Sequence, residues 1–312
     1  MSRAFVFPGQ GAQTIGMGKA LAESYPSARA VFEEVDEALG ERLSTLIWEG
    51  EPEALTLTEN AQPALMATSL AALRALQSEG VSIDHAAFVA GHSLGEYSAL
   101  AAAGALEIGD AARLLRIRGR AMQDAVPVGE GAMAAILGLS LDEVMEVAEA
   151  ASEGEVCVAA NDNDPAQVVV SGHMEAVARA TEIAKAQGAR RALMLPVSAP
   201  FHCSLMEPAA RKMEIALAEV DIARPAVPLV ANVLAREVSE ADEIRALLVE
   251  QVTNRVRWRE SVEWMTEHGV DEFWEIGAGK ALSGMIRRIA KDAGTRAIGT
   301  PEDVAAAADS LK

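Results

Sequence analysis

The sequence is most constrained by a serine framed by two glycines, Gly91-His92-Ser93-Leu94-Gly95. The apolar run over residues 86–90 predicts a buried strand before it, and residues 94–103 predict a helix after it. A Gly-x-Ser-x-Gly sequence between strand and helix is typical of a nucleophile elbow, which exposes a serine oxygen. Although the short pattern also occurs by chance, the helix N-terminus would stabilise an anion formed beside Ser93. We therefore predict that Ser93 is a nucleophile.

Composition indicates a globular protein from a reducing compartment. Half of the 312 residues are hydrophobic, which suffices for one large domain or for a large domain with a smaller one inserted. The two cysteines form neither a CxxC pair nor a disulfide framework. The N-terminus lacks the apolar region of a signal peptide, and no apolar run approaches the length of a membrane span. A cytoplasmic protein without a membrane segment is expected.

The charge balance argues against a nucleic-acid partner. The net charge is −19, from 46 acidic and 27 basic side chains, whereas binding to phosphates needs a dense basic face. Solubility is the simplest explanation of this acidity. An anionic partner would therefore have to bind a local basic cluster.

The order of predicted elements indicates an α/β fold in two parts. Strands alternate with helices near both ends of the chain, which predicts an α/β-hydrolase-like domain with a mainly parallel sheet. Between residues 127 and 196 the predicted order becomes βαββαβ, the split arrangement of a ferredoxin-like domain. We therefore predict a large domain of residues 1–126 and 197–312 and an inserted domain of residues 127–196.

Two local predictions are specific enough to be tested by a structure. The polar run Asn161-Asp162-Asn163-Asp164-Pro165 is predicted to be the turn between two strands of the inserted domain. Pro63 is expected in the first turn of a long helix that begins at Gln62, because that position does not need its N–H group.

A serine hydroxyl needs a base to become a nucleophile, and the chain offers five histidines. They are His85, His92, His173, His202 and His268. His202 follows a predicted strand, as Ser93 does, and the carboxyl ends of parallel strands meet at the sheet edge where ligands bind. A lone histidine is often structural, and His92 is expected to point away from its neighbour. We predict that His202 is the base.

The third member of a hydrolase triad is missing from the pattern. Asp110, Asp124 and Asp142 lie between Ser93 and His202, but none follows a predicted strand. A dyad, in which a backbone carbonyl or an amide orients the histidine, is the simpler interpretation.

An arginine helix offers a carboxylate-binding group. Residues 108–123 are predicted to be helical and carry four arginines, which is the usual composition of a solvated face. Gly119 opens space beside Arg118, however, and an arginine in a pocket would hold a carboxylate by a planar two-point contact that lysine cannot reproduce.

Motifs for nucleotides and metals are absent from the sequence. The turn at residues 9–13 lacks the spacing of a dinucleotide loop, and Ala281 stands where a phosphate-binding loop would carry Ser or Thr. There is no HExxH or comparable metal spacing. We expect neither a cofactor nor a metal.

Several motifs that run in register from about residue 4 to residue 290 resemble the malonyl-CoA:acyl-carrier-protein transacylases, the stand-alone acyltransferases of type II fatty acid synthesis. They are Phe7-Pro8-Gly9-Gln10-Gly11-Ala12-Gln13, Gly91–Leu100, Arg118–Gln123, Ser198-Ala199-Pro200-Phe201-His202, Gln251 and Glu275–Lys280. Ala12 and Ala278 replace a serine and a proline of the family pattern, and both changes should leave the chemistry intact. The inserted βαββαβ domain also matches the family architecture.

The resemblance implies a role for each matching residue. Ser93 would be the nucleophile, His202 its general base, and Gln251 would orient His202 through its main-chain carbonyl. The backbone N–H groups of Gln10 and Leu94 would form the oxyanion hole. The substrate-binding residues would be Arg118, for the malonate carboxylate, and Asn161, near the mouth of the site. The implied activity is [acyl-carrier-protein] S-malonyltransferase (EC 2.3.1.39), which transfers malonate from malonyl-CoA by a ping-pong reaction through a malonyl-Ser93 ester.

The partners implied by the resemblance are a coenzyme A thioester and an acyl carrier protein, which is typically acidic. Docking of the carrier would then need a basic cluster, and two are candidates: Lys185 with Arg190 and Arg191, and Arg287 with Arg288 and Lys291. A monomer is expected.

Three alternatives stay open at this point. A serine esterase or thioesterase would use the same pair and would not need Arg118. The same fold could transfer acetyl or methylmalonyl groups, although Phe201 and Arg118 favour malonyl. A carrier-binding module without activity is disfavoured by the presence of nucleophile, base and arginine.

Overall fold

The structure is a computed structural model that describes residues 2–197 and 199–311. Ser198, which belongs to one of the family motifs, lies outside the described residues. The strands are β1 (Arg3–Phe7), β2 (Phe88–Gly91), β3 (Gly131–Leu137), β4 (Cys157–Asp164), β5 (Gln167–His173), β6 (Arg191–Met194), β7 (Leu229–Val230), β8 (Glu237–Val238), β9 (Glu272–Ile276) and β10 (Gly294–Ile298).

The helices alternate with the strands over most of the chain. They are α1 (Lys19–Ser24), α2 (Pro26–Leu39), α3 (Leu43–Glu49), α4 (Pro52–Thr56), α5 (Thr58–Ser78), α6 (Gly95–Ala102), α7 (Ile108–Asp124), α8 (Leu141–Ser152), α9 (Met174–Ala186), α10 (Glu207–Ala218), α11 (Ala241–Glu250), α12 (Trp258–Glu267), α13 (Ala281–Ile289) and α14 (Pro301–Asp309). Short 3₁₀ turns occupy Ile83–His85 and Ser204–Met206. No helix in the described part of the chain is long and apolar enough to cross a membrane.

A six-stranded sheet forms the centre of the larger part, in the order β10-β9-β1-β2-β7-β8. Every pairing in it is parallel except that of β8 with β7. The residues Ala4 to Phe7 of β1 are fully buried, as expected for a parallel strand covered on both faces. Because Phe7 pairs with Gly91, the loops after β1 and β2 leave the sheet at the same edge. The predicted mainly parallel sheet is confirmed.

The long helix α5 begins earlier than the sequence indicated. It starts at Thr58, so the expectation that Pro63 occupies the first turn was wrong. Proline has no N–H group to donate to the carbonyl of Glu59, four residues before it. Arg116 of α7 supplies a donor instead, with 2.7 Å between its Nη1 and the Glu59 oxygen. A contact from a distant helix therefore allows a proline inside α5.

The second sheet is four-stranded and antiparallel, in the order β4-β5-β3-β6. Helices α8 and α9 pack against it over a core of alanine and valine side chains. This is the order of a ferredoxin-like βαββαβ unit, and that prediction is confirmed. All four strands fall between residues 131 and 194, whereas the division at residues 126/127 and 196/197 stays a prediction.

The predicted turn at Asn161–Pro165 was wrong, because β4 continues to Asp164 and the chain reverses only at Pro165 and Ala166. Asn and Asp are uncommon in strands, so the composition favoured a turn. Contacts with the larger part stabilise the extended conformation. Asp162 N–H donates to the Val256 carbonyl at 2.9 Å, and the Val256 N–H donates to Ala160 at the same distance.

The two aspartates of this segment are buried and paired. Asp162 contacts Arg259 of α12, with 2.9 Å between Oδ2 and Nη2, and Asp164 contacts Arg288 of α13 at 2.8 Å. Arginine pairing of this kind offsets the cost of burying a carboxylate. These contacts hold the end of β4 against α12 and α13 of the larger part.

Candidate active site

Ser93 lies on the sharp turn between β2 and α6, in the left-handed backbone conformation with φ of 54°. The turn is closed enough that a Cβ atom at Gly91 would lie 2.0 Å from the Gly95 carbonyl oxygen. A Cβ atom at Gly95 would lie 2.3 Å from the Phe7 oxygen of β1. The two glycines of the motif are therefore required by close backbone approach, and they leave the Ser93 hydroxyl at the sheet edge.

Ser93 and His202 are in direct contact. The distance between Ser93 Oγ and His202 Nε2 is 2.8 Å, and His202 Nδ1 lies 2.8 Å from the main-chain oxygen of Gln251. A carbonyl oxygen can only accept, so Nδ1 carries the proton and Nε2 is free to accept from the serine hydroxyl. The structure thus brings together a dyad whose histidine is oriented by a backbone carbonyl.

Burial keeps His202 neutral. The pKa of His202 is lowered to about 3, first because its ring is desolvated and then because the charge of Arg118 opposes protonation. The ring is therefore an unprotonated base at neutral pH. The candidate acids lie elsewhere: Asp110 pairs with Arg113, Asp124 lies 3.8 Å from Lys212, and Asp142 is in the first turn of α8.

The guanidinium of Arg118 lies beside the same serine. Its Nη2 donates to Ser93 Oγ at 3.2 Å and to Gln251 Oε1 at 2.8 Å, and its Nη1 donates to Gln62 Oε1 at 2.8 Å. The side chain is 1% exposed and its charge lies over the ring of Tyr97. Nη1 carries a second N–H. An edge of the guanidinium is therefore directed at the serine.

A pocket of about 520 Å³ opens onto Ser93 and His202. Gln10, Asn161 and Phe201 are among its lining residues, as are Ala281 and Met285 of α13. The volume is within the range of sites that bind small molecules. Asn161, which the resemblance implied to lie near the mouth of the site, lines this pocket and belongs to strand β4, not to a turn.

The backbone N–H groups of Gln10 and Leu94 were predicted to form an oxyanion hole. Within residues 2–197 and 199–311, neither amide donates a hydrogen bond to another residue. Leu94 precedes the first residue of α6, so its N–H belongs to the free N-terminal amides of that helix. Both groups are thus available to a substrate oxygen.

The sequence interpretation missed several polar residues around the dyad. Asn232 Oδ1 accepts the Ser93 N–H at 2.8 Å, and His92 Nε2 lies 2.8 Å from Asn163 Oδ1. Gln62 contacts Arg118, and Glu96, which is 1% exposed, accepts from Gln251. Glu96 could have been noticed, because it is a charged residue inside the apolar stretch that follows Ser93. The other residues carry no local signal.

An α/β fold with a serine–histidine pair at a glycine-framed turn defines the class of serine-dependent acyltransferases and hydrolases. Known proteins narrow this class. The family model of the acyl transferase domain matches residues 4–301. The malonyl CoA-acyl carrier protein transacylase of Bacillus subtilis is 48% identical over 310 residues, which cover 99% of this chain and 97% of that protein.

Solved structures agree with these sequence matches. The acyl-carrier-protein S-malonyltransferase of Bartonella henselae has 54% sequence identity and a TM-score of 0.98, covering 100% of this chain and 99% of that one. A malonyl-transacylase solved in complex with its type II PKS acyl-carrier protein has 41% identity and a TM-score of 0.96, covering 99% and 100%. The chain belongs to the acyl transferase family and, within it, to the malonyl CoA-acyl carrier protein transacylases.

Proposed function

We propose that this chain transfers the malonyl group of malonyl-CoA to the phosphopantetheine thiol of an acyl carrier protein, as a step of fatty acid synthesis. The observation that carries the proposal is the convergence of His202 and Arg118 on one oxygen, Ser93 Oγ, at 2.8 and 3.2 Å. His202 activates the serine, and Arg118 lies where an acyl chain attached to Ser93 would begin. The names of the related proteins support the same reaction.

The first half of the reaction acylates Ser93. Its Oγ attacks the thioester carbonyl of malonyl-CoA while His202 Nε2 takes the hydroxyl proton. The tetrahedral oxyanion accepts hydrogen bonds from the N–H groups of Gln10 and Leu94, each worth about 3–4 kcal/mol in sites of this kind. The C–S bond then breaks, and His202 returns its proton to the thiolate of coenzyme A. The backbone carbonyl of Gln251 accepts from Nδ1 throughout, so it fixes the tautomer of the neutral ring and the orientation of the protonated one.

Arg118 selects the acyl group in this proposal. The second N–H of Nη1 and the N–H that Nη2 directs at Ser93 can hold both oxygens of the malonate carboxylate. A carboxylate held in this way replaces part of the hydration that the buried guanidinium lacks. It also keeps the malonyl chain in one orientation, away from a path by which water would reach the ester. Asn161 lines the route to the serine and contributes to substrate binding.

The second half of the reaction transfers the malonyl group from Ser93 to the carrier. The carrier thiol gives its proton to His202 and attacks the malonyl ester, and the Ser93 oxygen recovers the proton as the ester bond breaks. No cofactor enters this reaction. We further propose a cytoplasmic monomer that uses neither metal, nucleic acid nor membrane, with a catalytic domain of residues 1–126 and 197–312 and an inserted domain of residues 127–196.

The acceptor distinguishes a transferase from the alternative thioesterase. With malonyl-CoA alone, coenzyme A release is expected to stop after about one equivalent per protein, because water is not activated at the ester. Addition of the phosphopantetheinylated carrier should restore steady release, with one malonyl-carrier formed per coenzyme A. Steady release without carrier, at the same rate, would instead identify a thioesterase.

The carrier is expected to dock beside α13, whose residues line the pocket. Arg287 and Arg288 are both exposed on this helix, and Lys291 follows it. Arg287 donates to Thr295 at 2.9 Å, and Arg288 contacts the buried carboxylate of Asp164 at 2.8 Å. Arg288 stays a docking candidate, because 52% of its side chain is exposed in addition to its contact with Asp164. In the other cluster Lys185 pairs with Glu182 at the surface.

Charge reversal tests this surface. Arg287→Glu is expected to raise the KM for the carrier by roughly 3- to 10-fold and to leave that for malonyl-CoA unchanged, because only the rim of the protein–protein contact changes. Steady-state kinetics with each substrate varied measure both constants. If Arg287→Glu and Arg191→Glu both leave the carrier KM unchanged, neither cluster is the docking surface.

A further inference from the structure

Two side-chain amides hold the strained backbone of Ser93 from both sides. Asn232 accepts the Ser93 N–H at its Oδ1, at 2.8 Å, and donates from Nδ2 to the Gly91 carbonyl at 2.7 Å. Gln251 donates from Nε2 to the Ser93 carbonyl at 3.0 Å. A left-handed conformation at a residue other than glycine persists only when its surroundings hold it. These contacts supply that support.

One carboxylate joins the two amides. Glu96, in the first turn of α6, accepts from Gln251 Nε2 with one oxygen and from the Asn232 backbone N–H, at 3.3 Å, with the other. Its side chain is buried, as are those of Asn232 and Gln251. Among the described residues, the Glu96 side chain makes no hydrogen bond to Ser93 Oγ or His202, and it does not line the pocket. The side chain is therefore linked to the nucleophile through Gln251 and Asn232, while the Glu96 backbone N–H donates to the Ser93 carbonyl at 3.0 Å.

Gln251 connects the residues that hold the Ser93 backbone with the residues of the proposed reaction. Its main-chain oxygen accepts from His202 Nδ1, and its Oε1 accepts from Arg118 Nη2. An ionised carboxylate can only accept, so it requires the Nε2 side of the Gln251 amide. The Oε1 side is then left for Arg118. Glu96 thus determines which way the Gln251 amide faces.

We propose that Glu96 is a positioning residue, which through Gln251 and Asn232 holds Ser93, His202 and Arg118 in register for acylation. The proposal rests on the proposed malonyl transfer and adds a residue that the reaction does not touch. Its ionised form is the active one, because both groups that it contacts are donors.

The electrostatics give this role a pH dependence. Burial raises the pKa of Glu96 to about 7, against the opposing effects of its two donors and of Arg118 from α7. Tyr97, its neighbour in α6, is buried and has a raised pKa, so it stays neutral. His202 titrates far below this range. Acylation is therefore expected to increase as the pH rises through about 7, when Glu96 ionises.

The raised pKa of Glu96 has the opposite effect on stability, which should fall as the pH rises. A carboxyl whose pKa is about 7 when folded and near 4.5 when unfolded binds its proton more tightly in the folded state. Relative to Glu96→Gln, the wild-type protein should lose stability as the pH rises from about 4.5 to about 7, and the difference should level off above that. If Glu96 served only to stabilise the fold, its ionisation would not lower the stability of the protein.

Glu96→Gln tests the proposal by single-turnover acylation with radiolabelled malonyl-CoA between pH 6 and 8. At pH 8 we expect acylation of the variant to be about 10- to 100-fold slower than that of wild type, which corresponds to the loss of one hydrogen bond to a charged group. The increase in rate near pH 7 should also disappear. Thermal unfolding should show a variant at least as stable as wild type at pH 8. Glu107→Gln, an exposed residue before α7, is the control and should match wild type.

The variant Asn232→Ala tests the other half of the network without changing the charge. It should slow acylation and retain the rise near pH 7, and the double variant should be no slower than the slower single one. Wild-type rates and pH profile in Glu96→Gln, wild-type rates in Asn232→Ala, or fully additive losses would each overturn the proposal. A wild-type protein that acquires no label would instead contradict the proposed function.

Discussion

Replacing Ser93 by alanine is expected to abolish acylation, with a fall in malonyl transfer on the order of 10⁶-fold. The substitution removes only Oγ, the atom at which His202 and Arg118 converge. The backbone of residue 93 keeps its hydrogen bonds to Asn232 and Gln251, so the fold should be preserved. Protein-bound radioactivity after an acid quench, with labelled malonyl-CoA as donor, measures the loss directly.

Ser98, on the helix that follows Ser93, offers a matched control. Its hydroxyl is fully buried and has no hydrogen-bond partner among the described residues, so Ser98→Ala removes the same atom without removing a contact. This variant should transfer malonate at the wild-type rate. Retention of even a tenth of the wild-type label in Ser93→Ala would show that the nucleophile is another residue.

Arg118→Ala is expected to lower kcat/KM for malonyl-CoA by roughly 30- to 5,000-fold, because a buried carboxylate would lose its partner. This corresponds to a loss of about 2–5 kcal/mol of transition-state stabilisation. Acetyl-CoA has no carboxylate and should lose far less, so the ratio of malonyl to acetyl transfer should fall. Removal of the guanidinium also frees space at the serine for a neutral acyl group. Competition between the two thioesters measures the ratio.

Two further substitutions separate selection from general damage. Arg118→Lys keeps the charge but cannot make a two-point contact, so it should recover only part of the malonyl activity. Arg113→Ala, on the exposed side of α7, removes only a surface pair with Asp110 and should leave the ratio unchanged. If Arg118→Ala transferred malonate normally and accepted acetyl-CoA no better, the selector role would be wrong.

The fold could be predicted where local patterns reflect the structure. The alternation of strands and helices and the βαββαβ order are both present in the structure, because each depends on hydrophobic periodicity along one segment. The segment from Asn161 to Asp164 could not be predicted in this way. Its extended form depends on Arg259 and Arg288, roughly 100 residues or more along the chain. Composition alone contains no record of such partners.

The same distinction applies to the site. Ser93 is marked by its flanking glycines and Arg118 by Gly119, whose absent side chain lets α7 approach the first turn of α5. Glu96 and Asn232 were missed because their roles arise from tertiary contacts, in which a buried polar group must find partners. The backbone carbonyl that orients His202 has no side-chain signature at all. Only the family resemblance pointed to Gln251.

The most direct test of the account is a pulse of radiolabelled malonyl-CoA followed by a chase. After removal of free donor, peptide mapping should place about one label per protein on Ser93, and the phosphopantetheinylated carrier should then remove it as malonyl-carrier within the time of a few turnovers. In buffer alone the ester should persist far longer. Label on a different residue, or loss to water as fast as to the carrier, would contradict the account.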